Sequence, residues 1–263
     1  MDLGLKGKVA LVTASSEGLG FACAARLAEA GCSVAICGRR EAALSAARDK
    51  LARGGASDVQ AVSADLADAR SLEHLVAEVL RRFGRLDILV VNSGHSAYGG
   101  LDELAEEQWY QAFDLLLMSA VRLARLALAP MRANKGGDII FLGSSTVREA
   151  PPRLLLSTVM RLGVAGLAKM LSREVARDNV RVNLISPGYF DTGRVRDQIS
   201  ALMKDQGLSR AEATSRICGS LPAGRIGTAE ELAELVAFVA SRRAGFLIGS
   251  NITIDGSATR SLL

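Results

Sequence analysis

Val9-Ala10-Leu11-Val12-Thr13-Ala14-Ser15-Ser16-Glu17-Gly18-Leu19-Gly20 is the stretch whose reading decides the fold. Four apolar residues predict a buried strand. A tight turn of small residues and glycines follows. Phe21-Ala22-Cys23-Ala24-Ala25-Arg26-Leu27-Ala28 then reads as helix. A helix start presents unpaired backbone N–H groups, and its dipole favours negative charge. Small side chains would let a diphosphate approach those amides. Taken alone, an ordinary strand-to-helix turn would look the same.

The same alternation runs along the chain. Strands are predicted at 31–37, 59–62, 86–91, 137–142, 180–185 and 250–255, and helices at 41–53, 71–83, 106–132, 155–177 and 229–240. Apolar strands alternating with helices predict an α/β fold: a doubly wound, seven-stranded parallel sheet of Rossmann type with helices on both faces. Ligands of such sheets bind at the carboxyl ends of the strands. No linker divides the 263 residues, so 1–263 is expected to form one domain. The polar segment from about 190 to 225, with Gly193, Gly207 and Gly219, interrupts the alternation and is expected to be a lid over a substrate pocket. A surface excursion without function is the alternative.

Composition narrows the functional classes. The net charge is only +4, and no basic stripe interleaves with aromatics, so no nucleic-acid partner is expected. No apolar run of membrane-spanning length and no secretory leader is expected. The four cysteines, Cys23, Cys32, Cys37 and Cys218, lack metal-ligand spacing, so no metal is expected. A reduced, cytoplasmic protein follows.

An acid about 20 residues past the glycine turn binds the ribose 2′-hydroxyl in NAD-specific folds. Here the second strand ends in Gly38-Arg39-Arg40. Two guanidiniums suit a 2′-phosphate, which favours NADP, with NAD as the alternative. Glu17 opposes this if it points inward.

The Thr13–Gly20 loop resembles the Thr-Gly-x-x-x-Gly-x-Gly loop of the short-chain dehydrogenase/reductase family, with Ala14 in place of the first glycine. Alanine does not take positive φ freely, so an extended or right-handed conformation is expected there. Asp65-Leu66 resembles the family's adenine-contacting pair. Asn92-Ser93-Gly94 resembles its Asn-Ala-Gly, and Pro187-Gly188…Thr192 its nicotinamide-side segment. Arg225-Ile226-Gly227 and Ile254-Asp255-Gly256 fit its C-terminal pattern. The resemblance implies that Thr13, Ser15, Ser16, Gly18, Leu19, Gly20, Arg39, Arg40, Asp65, Leu66, Asn92, Ser93, Gly94, Arg161, Pro187, Gly188 and Thr192 surround the cofactor. It also implies a homodimer or homotetramer packed through the helices over 106–132 and 155–177, and a small-molecule carbonyl or alcohol substrate.

The family's catalytic set is Asn, Ser, Tyr and Lys. Ser144 stands at the serine position. The tyrosine position, 13 residues on, is Ser157; the lysine position, four further, is Arg161; the asparagine position, seven after Trp109, is Leu116. A serine hydroxyl lies closer to the backbone than a phenol and is a far weaker acid. Arg161 keeps the charge in a bulkier, planar group. His95, just after Asn92-Ser93-Gly94, is the candidate replacement acid/base; otherwise it is a loop histidine. Tyr98 and Tyr189 are read as pocket lining, and His74 as a surface residue. Ser144, Ser157, Arg161 and His95 are thus the catalytic candidates. An oxidoreductase with a rebuilt proton relay and a cofactor-binding protein without turnover both remain open.

Overall fold

The computed structural model describes residues 2–56 and 58–262, with Arg194 described by its backbone alone. Seven parallel strands form one sheet: β1 (Val9–Val12), β2 (Ser33–Gly38), β3 (Val59–Ser63), β4 (Ile88–Val91), β5 (Gly137–Leu142), β6 (Val180–Pro187) and β7 (Asn251–Ile254). Their order is β3-β2-β1-β4-β5-β6-β7. The chain therefore winds outward from β1 in one direction and from β4 in the other. The switch point lies between these two strands, where Val12 pairs with both Ile36 and Val90.

Successive strand side chains point to opposite faces, and β1 shows the consequence. Val9 and Leu11 enter one core, with Leu123, Ile139 and Val164. Ala10 and Val12 enter the other, with Leu27, Ile36 and Val236. Helices α1 (Gly18–Glu29), α2 (Glu41–Arg53) and α9 (Ala229–Ala240) cover the second face. Helices α3 (Ala69–Phe83), α5 (Ser119–Ala133) and α6 (Leu155–Val175) cover the first. The doubly wound, seven-stranded parallel fold expected from the strand–helix alternation is the fold found.

Three expectations are corrected. The helix expected over 106–132 is interrupted: α4 (Glu106–Ala112) passes into π-helical turns at Phe113–Met118 before α5. There Leu116 packs with Leu104, Ala112, Leu156 and Met160. The polar segment over about 190–225, for which no helix is expected from the sequence, holds α7 (Gly193–Gln206) and α8 (Arg210–Gly219). These bury Val195, Ile199, Ala213 and Ile217 in a small core of their own. The third concerns membrane-spanning length. The helix over 155–178 is long and apolar enough to qualify, with a mean hydropathy of 1.3. Val164, Ala168, Leu171 and Val175 of α6 pack on the sheet, as in a core helix.

Candidate active site

A cleft of about 960 Å³ opens at the carboxyl ends of the strands. Its phosphate-facing wall is the turn between β1 and α1. Glu17 precedes α1 but gives the helix no side-chain cap, whereas Asp68, Ser209 and Thr228 cap α3, α8 and α9. The first amides of α1 are thus left for a ligand. Gly18 lies at φ +59° with nothing within 4 Å of where a Cβ would stand, so its backbone is open to the cleft. A nicotinamide dinucleotide therefore fits this cradle: a diphosphate would meet bare amides and no obstructing side chain.

Ala14 corrects an expectation. Its φ is +46°, in the left-handed region that disfavours alanine. Its carbonyl is fixed from outside the loop, because Asn92 Nδ2 donates to Ala14 O at 3.1 Å. A second tie is reciprocal. Thr13 Oγ1 donates to Asn92 O at 2.6 Å, and Asn92 N donates back to Thr13 Oγ1 at 3.0 Å. Ser15 Oγ donates to Val12 O at 2.6 Å and accepts from Cys37 N at 3.1 Å. Thr13 and Ser15 are fully buried and stand behind the cleft wall. Gly20 stands there too: a Cβ would come within 2.4 Å of Ala14 O. These three shape the loop; they do not line the cleft.

The other expected cofactor residues line it. Ser16, Gly18 and Leu19 form one stretch of wall. Arg39 and Arg40 sit past the end of β2, and Asp65 and Leu66 past β3. Asn92, Ser93 and Gly94 follow β4, and Pro187, Gly188 and Thr192 follow β6. Asp65 Oδ1 accepts from Ala67 N at 3.0 Å, which fixes the carboxylate at the strand end. Arg40 Nη2 donates to Glu17 Oε1 at 2.7 Å. Glu17 is thereby paired across the cleft mouth, the turn in charge that the sequence left open. Cys37 also lines the cleft, and burial pushes its thiol up to about 12, so it stays protonated.

At the other end of the cleft stand His95, Ser144, Ser157 and Arg161. Ser144 Oγ accepts from Thr146 N at 3.2 Å, closing a single helical turn at the end of β5. Ser157 is only 5% exposed, on the first turns of α6. One helical turn on, Arg161 Nη1 donates to Leu142 O at 2.9 Å, tying α6 to β5. Leu116 lies in its apolar cluster, with no polar atom to offer.

Several lining residues had no signal in the sequence. Gln198 of α7 lines the cleft, and its Nε2 donates to Tyr98 Oη at 3.0 Å, joining α7 to the loop after β4. Glu149 and Thr259 come together because Arg260 N donates to Glu149 Oε2 at 2.6 Å, drawing the C-terminal segment onto the cleft. Both contacts span 100 residues or more. The only signal in the sequence for this region is the break in strand–helix alternation over about 190–225.

Comparison with known proteins agrees with this geometry. Residues 13–259 match the family described as Enoyl-(Acyl carrier protein) reductase. The chain is 31% identical over 258 residues to dehydrogenase/reductase SDR family member 4 of Caenorhabditis elegans, covering 98% of this chain and 97% of that protein. It is 31% identical over 254 residues to the 3-oxoacyl-(acyl carrier protein) reductase FabG of Escherichia coli K12, covering 97% and 98%. Among solved structures, L-sorbose reductase from Gluconobacter frateurii, complexed with NADPH and L-sorbose, superposes with a TM-score of 0.97 at 33% identity over 100% of both chains. An actinorhodin polyketide ketoreductase with NADPH gives 0.92 at 28% identity, over 97% and 98%. With near-complete coverage in sequence and in structure, and the dinucleotide cradle in place, the chain belongs to the short-chain dehydrogenase/reductase family of oxidoreductases.

Proposed function

We propose that the chain is an NADP(H)-dependent oxidoreductase for a small polar carbonyl/alcohol pair, working without the family's tyrosine–lysine pair. One observation carries it: a single cleft has the uncapped start of α1 and two arginines at one end and Ser144, Ser157, Arg161 and His95 at the other. NADPH in the L-sorbose and polyketide reductase structures supports the choice of cofactor, and L-sorbose in the former supports a polar substrate.

The bound dinucleotide would supply or accept hydride at a substrate carbon. The amides of Gly18 and Leu19 hold the diphosphate. Arg39 and Arg40 hold the 2′-phosphate through charge-assisted bonds. Asp65 and Leu66 would contact the adenine, and Thr192 and Gly188 would hold the nicotinamide end. Ser144 holds the substrate oxygen, and His95, directly or through a water, exchanges the proton. Helices α7 and α8 exclude water as a lid.

A second reading has its own support. Ser157 is buried and offers a hydroxyl where the family has a phenol, Leu116 is apolar, and Arg161 donates to a backbone carbonyl. These favour a chain that binds NADP(H) without turning over simple ketones. Nicotinamide fluorescence titration combined with a broad carbonyl and alcohol screen separates the two. Binding with turnover that falls on His95→Ala supports the first; binding without turnover of any compound supports the second.

The resemblance also implies self-association through α6. Val159, Leu162 and Met170 of that helix are exposed, as are Tyr110 and Phe113 nearby in sequence to its packing partner Leu116. An apolar surface of this kind favours a second copy. Light scattering after size exclusion reads the mass; a monomer at micromolar concentration contradicts this assignment.

A further inference from the structure

Glu17 and Arg40 come from different segments, the turn before α1 and the turn after β2, and meet at 2.7 Å. Both line the cleft beside Arg39, which makes no ion pair with any described residue. The pair is open to solvent, with side chains 73% and 66% exposed. Glu17 gives no cap to α1, so its carboxylate serves Arg40 alone among the hydrogen-bonded partners described. It also lies within electrostatic reach of Arg196 on α7, which is itself paired with Asp191 at 2.9 Å.

We propose that Glu17 is a cofactor-selectivity residue, which competes with a ribose 2′-phosphate for Arg40 and so narrows the preference for NADP(H) over NAD(H). This rests on the dinucleotide-binding reading above. A phosphate monoester carries about −1.5 to −2 charges near neutrality and offers three acceptor oxygens. A guanidinium pairs with it in bidentate fashion, better than with one carboxylate oxygen. The exposed Glu17–Arg40 pair is weak and yields. Once it has yielded, Glu17 is left facing a dianion without its counter-charge, and that repulsion weakens NADP(H). NAD(H) has no charge at this position and is indifferent to where Arg40 points. Glu17 therefore acts on one cofactor and not the other.

The test is the dissociation constant of NADPH and of NADH, read by nicotinamide fluorescence, for wild type, Glu17→Gln, Arg40→Ala and the double variant. Glu17→Gln is expected to tighten NADPH by about 3- to 10-fold and to leave NADH within about 2-fold. The gain should shrink at about 0.5 M salt, where exposed charges are screened. In the Arg40→Ala background it should be smaller, because the competition has been removed. A Glu17→Gln protein whose two affinities move together, or do not move, overturns the proposal while leaving dinucleotide binding intact. A wild-type protein that binds neither dinucleotide overturns the reading beneath it as well.

Discussion

The side-chain amide of Asn92 donates to the carbonyl of Ala14 at 3.1 Å, and Ala14 is held at φ +46°. An alanine in the left-handed region costs about 1–2 kcal/mol relative to its right-handed form, and the strand-end contacts of Asn92 and Thr13 hold it there. Ala14→Gly removes the strain but gains unfolded-state freedom. The net expectation is a stabilisation of about 0.5–1 kcal/mol, raising the melting temperature by about 2–3 °C. Asn92→Ala is expected to destabilise by about 1–2 kcal/mol, because Ala14 O loses its donor. Thermal melts check both, and an Ala14→Gly variant that melts below wild type contradicts the strain assignment.

Ser157 and Arg161 share one face of α6, one turn apart, and both line the cleft. Restoring the family pair as Ser157→Tyr with Arg161→Lys supplies a phenol with reach and an ammonium to lower its pKa. A positioned general acid contributes about 10²–10⁴-fold. The double variant is expected to raise reduction of simple ketones by at least about tenfold over wild type, and over either single variant, in an NADPH-consumption assay. Fast wild-type turnover that Ser157→Ala abolishes would show that a serine here suffices.

Much of the fold is legible in residues close together in sequence. The apolar runs of β1 and β5 and the periodicity of α2 and α9 mark those elements to the residue. The Ala14 conformation is not legible, because it depends on a donor 78 residues away. Nor is the π-helical interruption at Phe113–Met118, since one apolar period passes through it unchanged. The cofactor wall is largely readable because it sits at strand ends that the alternation locates. Thr13 and Ser15 belong to the same loop, yet their hydroxyls bond to backbone behind the wall. The direction of Glu17 is settled by Arg40, on a neighbouring strand end. The end of the cleft beside Ser144 is least readable, since Gln198 and Glu149 are tied there by contacts to Tyr98 and Arg260, 100 or more residues away.

Near the amino ends of β5 and β6, away from the cleft, Asp138 meets Arg181 Nη2 at 2.6 Å with its side chain 17% exposed. Burial pushes its carboxyl from 3.8 up to about 7, against the pull of Arg181 and Lys8. The unfolded chain releases this proton near pH 3.9. Between about pH 4 and pH 7 the folded state therefore binds more protons, and this group's contribution to stability falls as pH rises through that range. Asp87 works in the opposite sense. Burial would raise it, but Arg85, the Val9 N–H and Lys8 together hold it below the usual range. Its contribution is present above the unfolded value and is lost only as pH falls through the lower folded one. Urea denaturation at pH 5 and pH 8 thus isolates Asp138. Wild type should lose on the order of a few kcal/mol more between these pH values than Asp138→Asn; equal losses contradict the assignment.

Calorimetric titration of the purified chain with NADPH tests most directly whether the turn before α1 is a dinucleotide cradle. Saturation at about one NADPH per chain, with a dissociation constant of about micromolar order, weakened at least about tenfold in Gly20→Ala, whose new methyl would meet Ala14 O at 2.4 Å, is the expected result. No saturable binding of NADPH or NADH up to about millimolar concentration would contradict it.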